Sequence, residues 1–391
     1  MRETPNARAP RLHAVGAALS ICVVLAAVAP SWAATPAPEV FPLSEVRPGL
    51  TGHVETVLDG GEITSIDVEL LGVMDDWIGP GIPVVIGRFV DETGRWKGVA
   101  SGMSGSPVFV DGKLLGALSY RIGAFNKEPI CGITPIERML ELDSYPSRPL
   151  SWLPQGRRSD GPPLRAIPMT LSVSGLSRGT IEGLEDVTQR LREHLPIARI
   201  ESAAAAGRSA GEAGADALVP GRAVSVLLVW GDMQVGATGT VTWRDGDRLL
   251  AFGHPFLGAG RVELPIAPAE VIWTIPSMLG SFKLSSFGRP AGTLVQDRLT
   301  AIEGRVGELP DGLPVRLDID RADAPPVERR FVLARSRELT PTLAIMAIQG
   351  AVRDALGAEG DEALVMDGEL RLADGSHLTI EGFGAGAGQG L

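Results

Sequence analysis

Gly102-Met103-Ser104-Gly105-Ser106-Pro107, followed at once by Val108-Phe109-Val110-Asp111-Gly112-Lys113-Leu114-Leu115, is the stretch that decides how this chain is read. Asp-Gly between two apolar runs predicts a hairpin with a two-residue type I′ turn, because both central residues need positive φ. The hairpin sets Ser104 on a tight loop entering a strand. Glycines around it let the backbone turn sharply and leave amide N–H groups unobstructed. A bare Gly-x-Ser-Gly is most often a plain turn between strands. Six residues closed by a proline and followed by a hairpin read instead as a nucleophile loop. Its oxyanion hole would be formed at the backbone of Gly102, Met103 and Ser104.

On either side of this loop the chain reads as short strands at 52–58, 63–73, 83–89, 98–100, 108–110 and 114–119, with a brief closing helix at 136–142. Turn signals such as Asp59-Gly60-Gly61 and Gly79-Pro80-Gly81 separate them, a pattern that suggests a small barrel or sandwich. With 49 Gly, 30 Pro and 5% aromatic residues, the composition is that of a β-rich chain with many tight turns. The fold class expected is mainly β.

The start of the chain reads as a targeting segment. Arg2, Arg8 and Arg11 form a basic region, residues 15–28 an apolar one, and Ser31-Trp32-Ala33 a small-x-small cleavage site. Residues 1–34 are therefore expected to be a signal peptide and the protein exported, with an uncleaved signal anchor as the alternative. Cys131 is then the single cysteine of the mature chain, so no internal disulfide forms and stability rests on the core. No Cys/His cluster has metal-site spacing and no P-loop occurs, so no cofactor or metal is called for. A net charge of −11 without a basic run argues against nucleic acid as a partner.

The expected organisation follows from composition. A Pro/Ala-rich disordered leader (35–48) precedes the serine-bearing half (49–146). Residues 147–222 read as a small α/β insert with a strand at 167–174, a helix at 180–194 and a flexible Ala/Gly-rich link at 203–217. A second β-rich half (223–322) carries strands at 224–229, 239–243 and 248–252, the last two joined by an Asp245-Gly246 turn. The tail (323–391) holds a helix from Thr340-Pro341 to Gly357, then a hairpin and a Gly-rich end.

A serine nucleophile needs a base, and histidine is the usual choice near neutral pH. His254 follows a strand, sits after Gly253 and precedes Pro255, which fixes the exit of the chain. His53, at the start of an earlier strand, is its rival. His194 ends a helix and His377 lies in the tail hairpin. For the orienting acid, Asp297 lies on the same half as His254, and Asp91 is the alternative.

The ten residues 98–107 and the segment 112–117 resemble the serine region of the SpoIVB-type serine peptidase family, and 239–243 through 250–254 resembles its histidine region. The resemblance implies two small trypsin-like β-barrels and an exported serine endopeptidase acting on peptide or protein substrates. It implies Ser104 as nucleophile, His254 as general base and Asp297 as the third residue of a triad. Three departures stand beside it. The serine half precedes the histidine half, as in a circular permutation. No segment reads as the founding enzyme's PDZ module. Met103 stands where trypsin-like enzymes carry Asp. An inactive peptide-binding or scaffold module, and a protein that cuts its own link once, are the competing expectations.

Overall fold

A computed structural model describes residues 38–123, 126–142, 164–195, 197–203, 214–321, 324–357, 363–371 and 374–385. The segment expected to be a signal peptide, most of the Ala/Gly-rich link and the Gly-rich end lie outside the described residues. The protein is mainly β.

In the serine half the strands are β1 (Thr51–Val57), β2 (Ile63–Gly79), β3 (Ile82–Phe89), β4 (Pro107–Val110), β5 (Lys113–Ile122) and β6 (Ile130–Pro135). Helix α1 (Glu92–Lys97) lies between β3 and β4, and α2 (Ile136–Leu140) follows β6. Every neighbouring pair is antiparallel, and the pairings form a closed circuit, β1-β2-β3-β6-β5-β4 and back to β1. Its interior is the cluster around Val54, Ile66, Val68, Leu70, Val85, Phe89, Val108 and Leu118. Asp111 (φ 49°) and Gly112 (φ 74°) both adopt the positive φ that the hairpin reading requires. The expected strand at 98–100 does not form. Only Ser101 makes a bridge, and its partner, Phe282, belongs to the other half.

The connecting stretch adds β7 (Leu164–Ala166), β8 (Met169–Ser174), α3 (Arg178–Glu182), α4 (Glu185–His194) and β9 (Ile197–Ser202). It is no separate insert. β7 pairs with β5, and β8 pairs with β11 (Gln234–Asp245) of the histidine half, so this stretch extends both sheets. The single helix expected at 180–194 is two helices broken at Gly183-Leu184.

The histidine half comprises β10 (Ala223–Gly231), β11, β12 (Arg248–Ala251), β13 (Gly260–Ile275), β14 (Phe282–Phe287), β15 (Gly292–Asp297) and β16 (Ile302–Val306). Here too antiparallel pairings close a circuit, β10-β11-β12-β16-β15-β13 and back to β10, with β14 as a hairpin arm on β13. Leaving the β14 arm aside and counting the circuit strands within each half, both circuits run 1-2-3-6-5-4. The β11–β12 turn centres on Gly246-Asp247, one residue later than expected, because Asp245 already pairs with Arg248.

β17 (Gly312–Arg321) and β18 (Ala324–Ala334) form a hairpin that joins the second sheet through β10, so the expected boundary at 322/323 falls inside one hairpin. Helix α5 (Thr340–Leu356) buries Leu343, Met346, Ala347 and Ala351 in the core of this half. β19 (Ala363–Arg371) and β20 (His377–Ala385) pair only with each other among the described residues.

The leader, expected to be disordered, is docked over its described residues from 38 onward. Phe41 is buried in the first core, its N–H bonds Leu114 O at 2.9 Å, and Leu43 and Val46 pack beside it. An apolar side chain every few residues is enough to dock this Pro-rich strip.

Candidate active site

Ser104 lies in the connection from the third to the fourth strand of its circuit, and His254 in the connection from the third to the fourth strand of the other. The shared topology therefore brings two equivalent loops to the seam. Two packing contacts fix this. Gly105, at φ +94°, lies so close to β11 and Phe252 that a Cβ would collide with Thr240 O and Phe252 N. A Cβ on Gly253 (φ +69°) would strike Ser119 Oγ of β5. Glycine is required at both positions. Phe252 itself takes φ 68°, a strained value for a bulky residue, immediately before Gly253-His254.

The serine loop is tied down by its carbonyl groups. Thr240 N–H donates to Ser104 O at 2.8 Å, Thr240 Oγ1 to Gly102 O at 3.0 Å, and Thr242 Oγ1 to Gly105 O at 2.7 Å. Lys283 N–H donates to Ser101 O at 2.9 Å, while Ser106 N–H and Ser106 Oγ both donate to Met103 O, at 2.9 and 2.6 Å. A trans peptide points its N–H opposite its C=O. Anchoring Ser101 O and Met103 O therefore orients the N–H groups of Gly102 and Ser104, and neither has a partner among the described residues. Met103 N–H differs: it is spent on Ala100 O at 3.0 Å. Of the three N–H groups expected to form an oxyanion hole, Gly102 and Ser104 are the ones left without a partner among the described residues.

His254 is 1% exposed. Its Nδ1 bonds Pro255 O at 2.8 Å, which makes Nδ1 the protonated nitrogen, since a carbonyl only accepts. Nε2, left with its lone pair, is buried and has no partner among the described residues. Burial pushes the imidazole pKa down to about 4, so it is neutral at physiological pH. Ser104 is likewise 1% exposed, and no hydrogen bond joins its hydroxyl to Nε2 here.

Asp297, the expected triad acid, ends β15 beside the His254 loop, but its carboxylate does not reach the ring. It accepts from Phe256 N–H (2.7 Å), Leu257 N–H (2.6 Å) and Ala259 N–H (3.4 Å). Nδ1 is already occupied by Pro255 O, so the orienting group in this structure is a backbone carbonyl. Asp91 is a helix cap, accepting from Gly94 N–H at 2.6 Å and Asp67 N–H at 3.0 Å. His53 is a partly exposed residue of β1, stacked on Phe109 with centroids 5.4 Å apart and 3.7 Å from Glu55. His377 pairs with Glu369 on the exposed hairpin.

Lys283 was not anticipated. It is 3% exposed, its Nζ donates to Thr56 Oγ1 at 2.8 Å and Thr240 Oγ1 at 3.4 Å, and its stem covers Gly102. Burial pushes its pKa down to about 7. A lone lysine in a Phe-Lys-Leu strand carries no signal that would have marked it. Among the described residues no group of three or more His, Cys, Asp and Glu side chains is placed to hold a metal ion, and no helix is long and apolar enough to cross a membrane. Comparison with protein-family models, curated proteins and solved structures returns no match to this chain.

Proposed function

We propose that this chain is an exported serine endopeptidase of the SpoIVB type, its two strand circuits being trypsin-like β-barrels in permuted order. One observation carries the reading: His254 Nε2 is buried, unprotonated and unpartnered, in the loop equivalent to that of Ser104, whose flanking N–H groups are also unspent. A buried acceptor without a donor costs about 1–3 kcal/mol, which a site tolerates where the acceptor has a task.

In this mechanism Ser104 Oγ passes its proton to Nε2 as it attacks the peptide carbonyl. Nδ1–H remains bonded to Pro255 O, which stabilises the imidazolium as it forms. The oxyanion is held by the N–H groups of Gly102 and Ser104, where losing one donor costs about 3–4 kcal/mol of barrier. Imidazolium then protonates the leaving amine, and water hydrolyses the acyl-enzyme by the reverse proton path. Asp297 anchors the histidine loop from its backbone. Export rests on the reading of residues 1–34 as a signal peptide.

A peptide-binding module is the second reading, favoured by the missing Ser104–His254 hydrogen bond. Fluorophosphonate labelling separates the two. Labelling lost in Ser104→Ala and His254→Ala but kept in His53→Ala supports the peptidase. A folded protein that never labels, even with strand β7 displaced as described below, is a binding module.

A further inference from the structure

β5 is covered unevenly. On one edge β4 pairs with it from Lys113 to Ala117, and the serine loop continues the ladder: Leu118 N–H donates to Ser106 O, and Gly105 N–H to Leu118 O. The next residue, Ser119, turns to a different partner. Its carbonyl accepts Ile167 N–H at 2.9 Å, and beyond it Tyr120, Arg121 and Ile122 lie antiparallel to Ala166, Arg165 and Leu164 of β7. Gly105 and Ile167 are therefore held by consecutive residues of one strand. Downstream of Ile167 the chain passes Ser101, whose Oγ lies 3.0 Å from Thr170 Oγ1, and joins β11 of the histidine half as β8. Residues 164–174 thus cross from one half to the other beside the Ser104 loop.

Adding an extended segment to a sheet edge is how many proteins hold a peptide: main-chain bonds give affinity, and pockets for alternate side chains give selectivity. Ile167 is a side chain of this strip that turns inward. It is 1% exposed, in one cluster with Val99, Met103, Leu118, Cys131 and Ile133, whereas Ala166 faces solvent. We infer that residues 164–167 are a built-in occupant of the substrate-strand groove, so the chain as folded blocks its own site. This rests on the cleft reading proposed above and names its substrate class: extended peptides with an aliphatic side chain at the position of Ile167. The occupant is suited to stay intact. Pro168 follows Ile167, and its ring nitrogen carries a third carbon substituent in place of N–H, which crowds attack on the Ile167 carbonyl. Sheet pairing on both sides keeps the two ends in place.

The test displaces the strand. Arg165→Pro removes the backbone N–H at the position opposite Arg121, and Thr170→Val independently removes the bond to Ser101 without touching β7. A fluorescein-labelled peptide of residues 164–170, and the same peptide with Asp for Ile, are titrated against wild type and both variants, alongside fluorophosphonate labelling of Ser104. Binding of the native peptide at least tenfold tighter to a variant than to wild type, with none of the Asp peptide, is expected. So is at least tenfold faster labelling. Equal binding to all forms, or none to either folded variant, overturns the inference. Peptide binding without labelling keeps the occupant and rejects the peptidase. Labelling at one rate in all forms with no peptide binding does the reverse.

Discussion

His254, Asp297 and Lys283 are ionisable groups buried at the seam, and each titrates away from its usual range for the same reason: burial disfavours the charged form. The signs differ. His254 falls from 6.5 to about 4, so between these values the unfolded chain binds the extra proton and stability drops as pH falls. Asp297 rises from 3.8 to about 6, so the folded protein binds the extra proton there and stability grows as pH falls. Over pH 4–6 the two oppose one another. Lys283 acts alone higher up. Its pKa drops from 10.5 to about 7, so the unfolded chain takes the proton across that window and the fold strengthens as pH rises. The limit is about 5 kcal/mol for the whole shift. Urea unfolding of wild type at pH 7 and pH 9.5 is expected to show a clear gain at the higher pH, and Lys283→Met to abolish it. An equal gain in the variant would place the effect elsewhere. Asp297→Ala strands three backbone N–H groups and is expected to cost about 2–4 kcal/mol, with labelling of Ser104 falling as the His254 loop loosens. Retention of full stability in urea would contradict the anchoring role.

β11 is the element that fixes the serine loop, through Thr240 and Thr242. Thr240→Val keeps the shape but removes the hydroxyl that donates to Gly102 O and accepts from Lys283. The expected cost is about 1–3 kcal/mol in a urea melt, with at least tenfold slower labelling in an Arg165→Pro background. Unchanged labelling would show that the loop holds its shape alone. Local chemistry explains which elements were legible from sequence. The Asp111-Gly112 turn depends on residues adjacent in the chain and forms as read; the helix opening at Pro341 forms too, but the cap expected at Thr340 falls on Leu339, and Thr340 is already helical. The role of Asp297 was not legible, because its donors are backbone N–H groups, which leave no mark in side-chain identity. β7 was missed for a related reason: three residues have no periodicity, and only their distant partner in β5 makes them a strand. The leader was read from its prolines, while Phe41 decided its fate.

Across the whole molecule, the two halves repeat one strand order and meet through a seam that is largely polar. Hydrogen bonds cross it from Thr240 and Thr242 to the serine loop, from Thr134 Oγ1 to Gly253 O, from Lys97 Nζ to Thr274 O, and from Thr274 Oγ1 to Leu58 O. A small shared cluster adds Leu114, Ala117, Ile136, Met139 and Leu142 against Trp243, Leu250 and Ala301. β8 then stitches the serine-bearing portion of the chain into the other sheet by pairing with β11. None of these contacts depends on an unbroken chain between 203 and 214, which is why the order of the halves is immaterial to the site. A protease site introduced within 204–213 and cut after folding should leave the two fragments co-eluting on size exclusion under native conditions. They should unfold in a single urea transition, because the seam is one cooperative unit. Fragments that separate without denaturant would mean that the connecting chain, and not the seam, holds Ser104 against the His254 loop.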